Sequence, residues 1–195
     1  MAEKTIDKTA AVDTNLEDYE KTCQSFQWFG KKVVTDSSAT APVNIAFRAV
    51  DCHLDTPKEE KLALRWLGKG EDKQDFTYRD LAQLSNRFAN VLKSLGFQKG
   101  TRVFSLAGRL PLLYISTLGV LKAGCVFTPL FSAFGPEPIR SRMEIGQANI
   151  LITTISLYRK KVAKWWRELV ELKAIFISMQ DVSLSLITKP LEVKI

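Results

Sequence analysis

Between Thr77 and Thr153 the chain repeats one unit three times: a helix, a turn and an apolar strand. The strands RVFSLA (102–107), CVFTPLF (125–131) and NILIT (149–153) are apolar on both faces. A strand of that kind must be covered on both sides. The arrangement that does so is a parallel sheet wrapped by crossover helices. The predicted fold class is therefore α/β, mostly parallel. Sheets of this type bind ligands at the carboxyl ends of their strands.

The helices carry their own punctuation. Thr77-x-x-Asp80 reads as a capping box, followed by an apolar stripe of Leu81, Leu84, Phe88, Val91, Leu92 and Leu95. Gly96 stands where a left-handed C-cap requires glycine. The next helix, 111–123, opens on Pro111 and is apolar nearly all round, so it must be buried on more than one side. A helix is predicted from Pro136 or Glu137 to Gly146, and another from Ser156 to Leu169. AIFIS (174–178) is one more strand. Pro129 weakens the second half of 125–131 as a strand.

Upstream, residues 1–14 are polar and read as a loose terminus. Residues 15–60 read as a helical extension. A helix is expected from Asn15 to Phe29, with Asn15 as cap and Asp18 as reach-back acid. A second is expected from Val43 to His53. KLALRWL (61–67) and 75–77 form a hairpin. Residues 61–180 are then the α/β unit and 181–195 a tail in which the helix–strand rhythm stops.

The net charge of +7 leaves room for an anionic ligand, but no Lys/Arg block is long, so a solvated basic surface is the favoured reading. The basic, tryptophan-bearing RKKVAKWWR (159–167) reads as an amphipathic helix facing the sheet rather than a nucleic-acid surface. Three scattered cysteines point to reduced thiols and a cytoplasmic protein, with Cys125 as inert core. The longest apolar run, Leu110 to Leu121, is too short to span a bilayer. The lone histidine, His53, reads as structural. Glu137, Arg140 and Glu144 read as ordinary ion pairing along a helix.

The ordered pattern FTYRDLAQLSNRFANVLKSLGFQKGTRVFSLAGRLPLLYISTLGVLKAGCVFTPLFSAFGPEPIRSRMEIGQANILITT resembles the N-terminal part of AMP-forming acetyl-CoA synthetases, which are adenylate-forming enzymes. NLEDYEKTCQSFQW and NIAFRAVDCHL resemble the same family, with Cys52 where the family has arginine. The resemblance runs from about Asn15 to Met179.

It implies the activity of an acetate–CoA ligase: ATP, acetate and CoA give acetyl-CoA, AMP and pyrophosphate. In that family a backbone-lined loop holds the triphosphate, Mg²⁺ offsets its charge and a lysine stabilises the adenylation transition state. The family carries these parts downstream of the region matched here. The resemblance thus implies an N-terminal fragment of the AMP-binding domain, inactive by itself. The alternative is a short, non-catalytic form acting as a binding or regulatory module. Self-association, or association with a full-length ligase, is the expected interaction, with no nucleic acid and no membrane.

One family site falls inside the chain. The loop Phe131, Ser132, Ala133, Phe134 is similar to the small-residue loop that passes along CoA. Arg159 corresponds to a family arginine that lies against the CoA nucleotide, a role that suits a guanidinium. A second family arginine is replaced by Val162, with Lys160 and Lys161 as nearby charge. The resemblance makes Phe131, Ser132, Ala133 and Arg159 candidate CoA contacts; the alternative for Arg159 is a solvated helix face.

Overall fold

The computed structural model describes residues 18–26, 44–68, 71–179 and 192–194. The chain divides into two units, Met1–Pro42 and Val43–Ile195. In the first, helix α1 (Tyr19–Ser25) is capped by Asp18, whose carboxylate accepts the Lys21 N–H at 3.0 Å. Asn15, the expected cap, lies outside the described residues. Asp18 takes the role because its own backbone is extended there, at φ −140°.

In the second unit, Asn44 caps α2 (Ile45–Ala49), accepting from the N–H groups of Ala46 and Phe47. The expected run to His53 breaks at Val50, and a 3₁₀ turn (Asp51–His53) follows. The break sets Asp51 against Lys122 Nζ at 2.7 Å, a long-range contact that outweighs local helix propensity. Strands β1 (Leu62–Leu67) and β2 (Lys73–Thr77) pair antiparallel as a separate hairpin. The capping box of α3 (Tyr78–Ser94) is reciprocal: Thr77 Oγ1 accepts the Asp80 N–H at 3.1 Å and Asp80 Oδ2 accepts the Thr77 N–H at 2.9 Å. Gly96 follows with φ +81°, a conformation that only glycine adopts without strain.

The α/β rhythm then runs β3 (Arg102–Leu106), α4 (Pro111–Lys122), β4 (Val126–Pro129), α5 (Pro136–Ile145), β5 (Ile150–Thr154), α6 (Ile155–Lys161) and β6 (Ala174–Ser178), with β7 (Glu192–Lys194) at the end. The five strands lie in the order β4-β3-β5-β6-β7. The first four are parallel, and β7 runs antiparallel against β6. Its pairing extends the sheet past the point where the sequence rhythm stops.

Strand alternation divides the core into two layers. Val103, Ile150, Ile152 and Phe176 pack with Phe88 and Leu92 of α3 and Val120 of α4. Phe104, Leu106, Leu151, Ile175 and Ile177 pack with Ile139 and Met143 of α5 and with Val162, Trp165 and Leu169 beyond α6. A third cluster joins Val50, Phe76, Leu81, Ala82 and Ile115, which carries the hairpin and α2 on the outer side of α3 and α4. Helix α4 is therefore covered from both directions, as its all-round apolar surface demands. Gly119 makes this possible: a Cβ there would stand 2.9 Å from the Ser85 carbonyl oxygen and 2.9 Å from the Phe88 ring.

Three expectations are corrected. β4 is not buried on both faces. It is the sheet edge, with Val126 49% exposed, and Pro129 ends it where a missing N–H costs least. The predicted helix 156–169 ends at Lys161. Val162 leaves helical backbone, at φ −123°, and Trp165 Nε1–H donates back to the Lys161 carbonyl at 2.6 Å. Arg140 does not pair along its own helix but reaches Glu168 at 2.6 Å, because Glu168 follows the early end of α6.

Candidate functional site

The sheet has one topological switch point. From β3 the chain moves outward to β4, then returns past β3 to place β5 on the other side. The crevice outside the carboxyl ends of β3 and β5 is where such sheets take ligands. Three segments border this end of the sheet: residues 107–110 after β3, 130–135 after β4, and α6, which begins directly after β5.

Each segment is held by a specific bond. Trp66 of the hairpin, buried, donates Nε1–H to the Arg109 carbonyl at 2.7 Å and fixes the loop after β3. Thr153 Oγ1 donates to the Leu106 carbonyl at 2.8 Å and ties the ends of β5 and β3 together. Thr154 caps α6. Ser105, one residue earlier in β3, is buried, and its Oγ has no hydrogen-bond partner among the described residues.

The loop after β4 is the most elaborate. The Leu130 N–H donates to the Ser105 carbonyl at 2.8 Å, and the Phe134 N–H closes a turn on the Phe131 carbonyl at 3.1 Å. The Phe131 and Phe134 rings meet edge to face with centroids 5.4 Å apart, and the Arg142 guanidinium lies 4.4 Å from the Phe134 centroid. Lys161, at the end of α6, donates from Nζ to two carbonyls of the loop, Ser132 at 2.6 Å and Phe134 at 2.7 Å. Phe131 and Ala133 stay exposed, and Ser132 is half-buried.

The structure thus gathers Phe131, Ser132 and Ala133 into one anchored turn. Arg159 is placed differently. It is exposed on α6, two residues before Lys161. Two helical residues so spaced point about 200° apart around the axis, so Arg159 does not share the direction of the loop anchor. Lys161, named in the sequence only as nearby charge, is the residue that touches the loop. Nothing in the triplet Arg159-Lys160-Lys161 singles it out, because which lysine meets the loop depends on where the helix stops.

In kind, the residues suit a nucleotide with anionic groups: an exposed aromatic ring, small side chains, and a cationic helix beside them. They do not form a metal cage. Among the described residues no group of three or more His, Cys, Asp or Glu lies together. Cys125 is buried in the α3/α4 layer, and burial pushes its thiol up, with a smaller opposing contribution from a hydrogen bond to Thr101. It is core rather than nucleophile. His53 packs its ring against Tyr78, centroids 4.5 Å apart.

With this geometry in view, the chain's relatives can be placed. Residues 53–192 match the family described as AMP-binding enzyme, and the chain belongs to that family. The match continues past Met179, beyond the stretch that carries the sequence resemblance. The chain is 34% identical over 149 residues to the acetyl-coenzyme A synthetase of Bacillus subtilis (strain 168), covering 76% of this chain and 26% of that protein. It is 36% identical over 143 residues to an acetyl-coenzyme A synthetase of Leptospira biflexa, covering 68% of this chain and 22% of the relative. Among solved structures it is similar to the Brucella canis acyl-CoA synthetase, with a TM-score of 0.66, 25% identity, and coverage of 84% of this chain and 29% of that one. The chain therefore spans about a quarter of the length of these relatives.

Proposed function

We propose that the chain is the front part of the AMP-binding domain of an acetate–CoA ligase and that it contributes one wall of that enzyme's CoA site. In this reading the described residues within 61–180 belong to the α/β subdomain and those within 15–60 to a helical extension before it. What supports the ligase reading is the similarity to two acetyl-coenzyme A synthetases across most of the chain. The observation that carries the CoA reading is the anchored turn Phe131–Phe134 at the carboxyl end of β4, beside a cationic helix.

Each residue has a role within this reading. Ser132 and Ala133 keep the turn narrow so that a ligand reaches its backbone. The exposed Phe131 ring offers a flat apolar face. Arg159, exposed on a different side of α6 from the loop anchor, offers a planar donor to phosphate or a base of the ligand beyond the turn. CoA, when bound in such an enzyme, supplies the thiol that attacks the acyl-adenylate; these residues bind and orient its nucleotide end and move no proton. ATP, Mg²⁺ and acetate belong to the whole ligase, and no step involving them is assigned to residues of this chain. The protein is assigned to the cytoplasm.

By itself, the 195-residue chain is expected to give no acetate-dependent ATP–pyrophosphate exchange; measurable turnover by the purified chain contradicts this. For the CoA subsite, Arg159→Ala is expected to weaken CoA binding severalfold, and unchanged binding removes Arg159 from the site.

A further inference from the structure

The contact between Lys161 and the 131–134 turn has chemistry that packing alone does not explain. A lysine at the end of a basic helical segment ordinarily extends into water. Lys161 instead directs its ammonium at two carbonyl oxygens of one turn, at 2.6 and 2.7 Å. Bonds with an ionised donor are stronger than neutral ones, and this residue forms two at once. The Arg142 guanidinium also lies over the ring of Phe134, one of the two residues that Lys161 bonds, and Arg142 Nη1 donates to the Pro138 carbonyl at 3.0 Å.

This arrangement bears on what the turn can bind. Carbonyl oxygens facing outward would repel a phosphate-bearing ligand. Lys161 takes the oxygens of Ser132 and Phe134 as acceptors and offsets their partial negative charge. Phe131 and Ala133 remain exposed beside them. From this we infer that Lys161 is a positioning residue: it fixes the 131–134 turn in the conformation that receives the nucleotide end of CoA, without itself touching the ligand. The inference rests on the CoA reading above and adds to it the residue on which the loop's shape depends.

The test uses the full chain as wild type, Lys161→Met and Lys161→Arg. Methionine keeps the unbranched apolar stem and removes every donor; arginine keeps the charge and can donate to two acceptors. Two quantities are read: CoA affinity by calorimetry, and exchange of the Phe134 amide by NMR. Amides of Ile150–Thr154 report whether the sheet itself stays folded. Lys161→Met is expected to weaken CoA binding roughly tenfold and to speed Phe134 exchange by a similar factor, with the β5 amides unchanged. Lys161→Arg is expected to recover most of both.

If wild type binds CoA and Lys161→Met binds as tightly, the positioning role is overturned while the CoA reading stands. If wild type does not bind CoA, the CoA reading falls. Phe134 exchange then decides the anchor alone: faster exchange in Lys161→Met keeps it, and unchanged exchange overturns it.

Discussion

Helices α4 and α6 leave neighbouring strands of one sheet at the same end, yet their residues are used in opposite ways. In α4, Pro111, Ile115, Ser116, Gly119 and Val120 are buried, and the helix is enclosed between the sheet on one side and α3 with the hairpin on the other. In α6 no residue is fully buried, its last turn holds Arg159, Lys160 and Lys161, and one of these reaches across to a neighbouring loop. The first helix stabilises the subdomain. The second leaves side chains available at the end of the sheet where ligands bind. The contrast teaches that substitutions in α4 should move stability, and substitutions in α6 should move binding with little change in stability.

The largest expected effect is at the end of α4. Lys122 Nζ is nearly enclosed and bonds Asp51 at 2.7 Å and Asn86 Oδ1 at 2.9 Å. Lys122→Met leaves the Asp51 carboxylate without its partner and is expected to cost about 3 kcal/mol in chemical denaturation. A loss under ~1 kcal/mol would show that solvent reaches the pair. Next is Gly119→Val, which forces α3 and α4 apart and is expected to cost about 2 kcal/mol. A variant as stable as wild type would mean the helices are not in close contact.

Ser105→Ala should have the opposite sign. It removes a buried hydroxyl with no partner among the described residues, so stability is expected to be unchanged or to rise by up to ~1 kcal/mol. A clear loss would point to a bond that this hydroxyl makes. On α6, Arg159→Ala is expected to change stability by less than ~0.5 kcal/mol, as exposed positions do, while lowering CoA affinity. A large fall in melting temperature would erase the distinction between the two helices.

The smallest effect concerns pH and the hairpin. The Arg65 guanidinium, bonded to both Asp75 oxygens at 2.7 and 2.8 Å, holds the Asp75 carboxyl below its usual range. A folded-state value below the unfolded one means the stabilisation is present above the unfolded carboxylate range, about pH 4, and is lost as pH falls through the depressed folded value. Because the pair is exposed, its contribution is small. Asp75→Asn should flatten only that acidic part of the stability profile, and an identical profile in the variant would exclude the pair as its source.

Much of the fold was legible in the chain because its signals are local. The Thr77/Asp80 capping box, Gly96 and the two-sided strands each fix an element without reference to anything distant. The burial of α4 was legible too, since a helix apolar all round allows one environment. The misread features depend on long-range partners. β4 looks like an interior strand by composition, and only the strand order makes it an edge. Helix α6 looks seven residues longer than it is, because Trp165 and Leu169 keep helical spacing while packing from irregular backbone. β7 is a three-residue strand that exists by pairing with β6. At the site, it was the family resemblance that singled out residues 131–134, whereas the lysine that holds that turn stood out only as nearby charge.

The central claim is that the end of the sheet between the 131–134 turn and α6 receives CoA. The most direct test is titration of the isotopically labelled full chain with CoA, followed by amide chemical shifts. The account predicts saturable shifts at residues 131–134 and 159–161, with the β1–β2 hairpin unperturbed. Shifts confined to other surfaces, or none at millimolar CoA, would contradict it.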